Sequence, residues 1–232
     1  MSSATASKCW GLLSRRPRWG LSWRGWLFGG GVFLLTGWGL AWNIHPFLAV
    51  TRRVPGKVLV VEGWMNRFGV GGAMQEFKTG GYDRVLTTGG PSAGYGPKSS
   101  FYDTEAWQSA GLLRKAGLAA EAVQAVPSLF VGKDRTYNSA LALRDWLRDH
   151  DPQIRSLNVL TEDAHARRTW LLFQEALGPE VQVGIISVPN PDYDARHWWR
   201  SSEGVREVID ETIAYLYAKC LFWPGNPKAE IR

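Results

Sequence analysis

Residues 26–44, WLFGGGVFLLTGWGLAWNI, carry no charge, and no other feature constrains the chain as much. As an α-helix these 19 residues reach about 28 Å at ~1.5 Å per residue, close to the hydrocarbon thickness of a bilayer. Gly29, Gly30, Gly31, Gly37 and Gly39 weaken such a helix in water, but in lipid the cost of unpaired backbone polar groups holds it together. Trp19, Trp23, Trp26, Trp38 and Trp42 fall toward the ends or outer turns of the run, as an interfacial aromatic belt requires. The segment reads as an uncleaved transmembrane anchor over 26–50, in contact with membrane lipid, after a basic stretch 1–25 and before a linker 51–56. A cleaved signal peptide is the rival reading. The run is long for one, and no small-x-small cleavage site follows it.

Charge is distributed to match. Lys8, Arg15, Arg16, Arg18, Arg24, Arg52 and Arg53 are unaccompanied by any acid up to position 53, which leaves 20 basic residues against 21 acidic in the rest. The formal excess of +6 therefore flanks the apolar run. A nucleic-acid surface needs its excess on the folded body, so that class of partner is not expected. Five basic residues precede the run and three follow it closely, Arg52, Arg53 and Lys57. This bias favours a cytoplasmic N-terminus and an exported domain, on the external side of a bacterial plasma membrane. Cys9 and Cys220 then lie on opposite sides of the bilayer, so no internal disulfide is expected, and neither spacing suggests a metal site.

From position 57 onward, short apolar runs alternate with helix-like stretches. The strand candidates are KVLVVE (57–62), RVLTTGG (84–90), AVQAVP (122–127), SLNVLT (156–161) and VQVGIISVP (181–189); helices are expected at about 70–80, 101–117, 136–149, 163–177 and 203–222. Alternation with apolar strands predicts one α/β domain over 57–232, a Rossmann-like three-layer sandwich around a mostly parallel five-stranded sheet. The last helix has an apolar spacing through Val205, Val208, Ile209, Thr212, Ile213, Leu216 and Tyr217. Arg206, Glu207, Asp210 and Glu211 interrupt it, so a packed helix is expected there and not a second span.

Ligands of open parallel sheets bind outside the carboxyl ends of the strands, where helix N-termini offer free N–H groups to anions. That rule selects Glu62, Gly89 and Gly90, Asp134 to Thr136, the stretch after Thr161, and the aromatic run 192–200. Gly89 and Gly90 allow close backbone approach to a ligand, although a glycine pair after a strand is also ordinary turn chemistry. No GxGxxG or GxxxxGK[ST] sequence is present, which disfavours nicotinamide and P-loop readings; no GxSxG elbow is present either.

His165 and Arg168 are three apart on a helix that begins directly after a strand, so they share a face. An Arg beside a His at a positive helix end leaves the imidazole a neutral donor or base while the Arg holds an anion; a partly buried capping His with solvated arginines fits the same spacing. Arg135, entering the preceding helix, is placed to join Arg168 in clamping a phosphate or carboxylate, with Asp134 or Thr136 as the helix cap. Glu62 and Glu105 are acid/base candidates or surface acids. Tyr193 to Arg200 reads as a ligand wall, a headgroup contact or a packed lid.

The order of these motifs resembles the ElyC/SanA/YdcF family of bacterial envelope proteins, on its SanA-like branch. The likeness covers about 57–190. It is carried by Glu62-Gly63-Trp64, Thr87-Thr88-Gly89-Gly90, Asp103-Thr104-Glu105-Ala106, the run Arg135-Thr136-Tyr137-Asn138-Ser139-Ala140, and His165-Ala166-Arg167-Arg168 after Thr161. The resemblance implies a Rossmann-like fold behind an N-terminal membrane segment and a role in envelope integrity and barrier maintenance. It carries no particular reaction. Position by position, it brings Gly89, Gly90, Glu105, Thr136, His165 and Arg168 across to this chain. Ser139 stands where many members have Asn, so a hydrogen bond from that amide does not carry over.

These readings together lead us to expect a membrane-anchored domain that binds an anionic small molecule or a lipid-linked phosphate headgroup. Its site would be lined by Glu62, Gly89, Gly90, Arg135, Thr136, Ser139 and Arg168. As an enzyme, its chemistry would be transfer or hydrolysis at a phosphate, with His165 or Glu105 as acid/base. A non-catalytic module that scaffolds envelope proteins through Trp198 and Trp199 is the alternative.

Overall fold

The computed structural model describes residues 23–65, 67–91, 104–130 and 132–224. Cys9, Asp103, Trp19 and the basic residues before position 23 lie outside them; Cys220 is free and exposed. By contacts the chain divides into residues 1–41 and a larger unit from 42 onward.

The first helix, α1 (Trp23–Leu48), is long and apolar enough to cross a membrane, and its most apolar stretch is entirely unburied. Pro46 stands near its end, where a missing N–H helps to terminate the helix. Its last residues belong with the larger unit, and Leu48 is fully buried there.

The larger unit is the expected α/β sandwich. Strands β1 (Val58–Glu62), β2 (Arg84–Gly89), β3 (Val123–Pro127), β4 (Ser156–Glu162) and β5 (Gln182–Val188) form one sheet in the order β3-β2-β1-β4-β5. Every neighbouring pair is parallel. The strand pleat sorts the apolar runs between two faces. Val58 and Val60 of β1 join the layer of α4 (Arg135–His150) and α5 (Ala166–Leu177), centred on Leu143 and Phe173. Leu59 and Val61 join that of α2 (Arg67–Gly80) and α3 (Glu105–Lys115), with Met74, Ala110 and Leu113. Burial on both faces is why these strands read as continuous apolar runs without alternation. The sixth helix, α6 (Ser202–Cys220), packs on α5.

Residues 51–56, read from sequence as a linker, run along β5. Arg52 and Ile185 exchange two backbone hydrogen bonds, of 2.7 and 2.8 Å, in an antiparallel bridge. The Asn158 amide, buried in β4, accepts from the Val54 N–H and donates to the Val54 carbonyl, each at 2.9 Å. An Ala at 184 would put its Cβ 2.0 Å from Asn158 Oδ1. A glycine there leaves room for the strap, and a polar residue in a buried strand has a backbone partner for both its oxygen and its nitrogen.

Candidate functional site

The strand order reverses between β1 and β4, and a crevice opens at their carboxyl ends. There a cavity of about 550 Å³ is lined by Glu62, Trp64, Thr88, Gly89, Gly90, Glu105, Gly132, Asp134, Arg135, Thr136, Ser139, His165, Arg168, Glu207 and Glu211. The nine residues expected to bind or react, Glu62, Gly89, Gly90, Glu105, Arg135, Thr136, Ser139, His165 and Arg168, are all among them, whereas the aromatic run 192–200 is not. Gly132 and, from α6, Glu207 and Glu211 are lining residues that the sequence did not suggest.

The β2 side is built by close backbone approach. The Gly63 N–H donates to the Thr88 carbonyl at 2.6 Å, and a Cβ on Gly63 would fall 2.5 Å from the Glu105 carbonyl. Gly89 has a φ of 151°, which side-chain-bearing residues rarely adopt, and a Cβ there would meet Glu105 Cβ at 2.8 Å. The pair is therefore a turn and a close approach at once. Gly90 accepts from the Glu105 N–H at 2.9 Å, which seats Glu105 at the start of α3. Thr88 is 1% exposed, and its hydroxyl has no partner among the described residues. A buried hydroxyl without a partner is costly, so it marks a place where a ligand or water completes the site.

Asp134 caps α4 in the left-handed conformation, with φ 57° and ψ 41°. Its side chain makes no capping bond, so it leaves the first N–H groups of the helix uncapped by that residue. Arg135 projects from this end, and its Nη2 donates to Glu105 Oε1 at 2.6 Å. Burial pushes the Glu105 carboxyl above its ordinary range; Arg135 opposes this without cancelling it, and Glu62 adds to it.

The other side is a buried network. A single 3-10 turn, Asp163–His165, leads from β4 into α5. His165 Nδ1 lies 2.8 Å from Glu211 Oε1 and 2.9 Å from Arg168 Nη2, while Nε2 lies 3.8 Å from Glu62 Oε2. Arg168 grips Glu211 with two hydrogen bonds of 2.8 Å, from Nε to Oε2 and from Nη2 to Oε1. Burial alone would raise the Glu211 carboxyl, but the bonds from Arg168 and the contact with His165 outweigh it and hold it down at about 2. Glu207 goes the other way, pushed up by burial and then by repulsion from Glu211. The Thr169 hydroxyl donates to Glu62 Oε2 at 2.9 Å. The Trp64 ring meets His165 edge-on, with centroids 4.9 Å apart.

The geometry changes two expectations. Arg135 and Arg168 do not face each other as an empty clamp, because each guanidinium already holds a carboxylate. His165 has the expected Arg168 beside it, but it also stands between the carboxylates of Glu62 and Glu211. Chemically, the site joins a carboxylate kept ionised, Glu211, with two inclined toward the protonated form, Glu105 and Glu207. Environments that push carboxyls apart in this way are what acid–base chemistry requires. No group of three or more His, Cys, Asp or Glu among the described residues is arranged to hold a metal ion. In the aromatic run, Trp198 is buried and Trp199 packs on Trp42 with centroids 5.7 Å apart, so packing is the reading that run supports. Comparison of the chain with protein-family models, curated proteins and solved structures found no match.

Proposed function

We propose that this is a single-pass membrane protein of the bacterial cell envelope whose α/β domain binds an anionic phosphate-bearing ligand and acts on it by acid–base chemistry. The observation that carries the reading is the meeting of the unpartnered Thr88 hydroxyl, the uncapped start of α4 and the half-exposed Arg135 in one cavity with His165, Arg168 and Glu105. Part of the negative lining is already offset. Glu211 is neutralised by Arg168, and an arriving phosphate takes Arg135 from Glu105, which is already inclined to hold a proton. Glu105 then serves as acid, with His165, steadied through Nδ1 by Glu211, as base. The motif order shared with the ElyC/SanA/YdcF family supports the envelope role, and the basic flank before α1 supports an external domain.

The test is titration of the full chain in lipid nanodiscs with inorganic phosphate and with a polyprenyl phosphate. Binding of either to the wild type, weakened in Arg135→Ala, is the expected result, and the two arms separate a free anion from a lipid headgroup. A wild type that binds neither sinks the reading. A reporter fused after Arg232 that is active only outside the cytoplasm checks the orientation.

A scaffold role, expected through Trp198 and Trp199, finds a different exposed surface on α6, where Ile209, Ile213 and Leu216 are 45%, 61% and 53% exposed along one face. It predicts that Ile213→Glu abolishes barrier function while phosphate binding is retained.

A further inference from the structure

The cavity has a support that comes from outside the β/α units that line it. His45, in the last turn of α1, is 6% exposed. Its Nε2 lies 2.8 Å from Asp163 Oδ1, a close polar contact made off the hydrogen-bonding direction, and the Tyr193 ring meets its imidazole edge-on with centroids 5.9 Å apart. Asp163 stands two residues before His165 in the same 3-10 turn, and its φ of 38° is left-handed.

A residue other than glycine stays in that region only where its surroundings hold it. Contacts from β5, the loop after it and α1 do so, beside the Ala166 N–H on the Asp163 carbonyl and the Tyr193 hydroxyl that bears on its carboxylate. The Asp163 carbonyl accepts from Ser187 Oγ at 3.1 Å, and Oδ2 accepts from the Asn190 N–H at 3.4 Å. The contact from α1 is that of His45. The first two come from β5 and the loop after it, whereas His45 belongs to a helix that contributes nothing else to the site. A space-filling residue would be apolar, as the neighbouring Leu48 is. An imidazole buried against a buried carboxylate carries a desolvation cost that simple filling does not explain.

We propose that His45 is a positioning residue for the cavity: the end of α1 fixes the turn Asp163–His165, and through it the orientation of the His165 ring toward Glu211 and Glu62. A domain cut at the limits suggested by sequence, from residue 57, therefore lacks part of its own site. The ligand half of the test rests on the phosphate reading, and the ring half does not.

The full chain is labelled with 15N-histidine and placed in lipid nanodiscs. It has four histidines, so the ring signals are few, and His165→Gln assigns the one of interest. His45→Phe keeps the ring and its contact with Tyr193 but removes Nε2; His45→Gln keeps a donor near that position. We expect His45→Phe to move the His165 ring signals and to weaken inorganic phosphate binding by roughly tenfold. His45→Gln should keep both near the wild type. His165 signals unmoved in His45→Phe, even with a lowered melting temperature, overturn the proposal and leave His45 a filler. Should His45→Phe fail to fold, His45→Leu removes the polar contact with a smaller apolar side chain, and the same two outcomes of the ring signals decide. A wild type that ignores phosphate refutes the ligand, while the ring signals still judge His45.

Discussion

The two walls of the cavity are built on different principles. On the α5/α6 side, His165 and Glu211 are buried, Arg168 is largely covered, and the three are bound to one another by short contacts. On the α3/α4 side, Glu105 and Arg135 share one ion pair, and the Arg135 side chain is 48% exposed. A buried network is costly to disturb, whereas an exposed pair exchanges partners at small expense. One wall is thus a fixed frame and the other a movable contact, so the two should respond to substitution in opposite ways.

The largest effect should come from Glu211→Ala, which takes from Arg168 and His165 the carboxylate they share. A loss of about 3–5 kcal/mol in denaturant unfolding is expected, and a loss comparable to that of a surface pair would erase the distinction between the walls. Acid tests the same wall without substitution. The Glu211 carboxyl lies at about 2 in the folded chain against an ordinary 4.5, so its contribution is complete above pH 4.5 and disappears as pH falls toward 2. That contribution is roughly 3 kcal/mol, and the acid limb of the stability curve should flatten in Glu211→Gln.

For the movable wall, Arg135→Ala should change stability by less than about 1 kcal/mol while weakening phosphate binding by about 1.5–3 kcal/mol in titration calorimetry. A large stability loss with unchanged binding would reverse the assignment. Burial raises Glu105, and binding that takes its arginine should draw a proton onto it. Affinity should accordingly be greatest at low pH and fall, by less than about tenfold per pH unit, as pH rises through the raised carboxyl value. Glu105→Gln should remove the slope. The smallest effect belongs to Thr88→Val, which deletes the unpartnered hydroxyl. Stability should stay level or improve, with a loss of about 0.5–1.5 kcal/mol in binding alone.

The sheet was legible because its strands are buried on both faces, so each of the five apolar runs stood out without competing periodicity. The site was legible where it follows strands: Glu62, Gly89, Gly90, Arg135 and His165 all lie in the segments that the parallel topology brings to one rim. Glu207 and Glu211 were not. On a helix entered some forty residues after His165 they read as charges interrupting an apolar face, and nothing local says that their face is the buried one. His45 was hidden in another way, at the tail of a segment whose apolar content spoke only of lipid. The strap at 51–56 was missed because its partner, Asn158, reads in sequence as one polar residue inside a strand.

That strap has a consequence for handling the protein. The outermost strand of an open sheet is a template on which a foreign strand can dock, and proteins commonly blunt it. Arg52 and Val54, secured by Ile185 and Asn158, occupy the flank of β5. A fragment trimmed beyond them would present unpaired amides to its neighbours, and growth into ribbons, followed by light scattering over time, is the behaviour to anticipate from it.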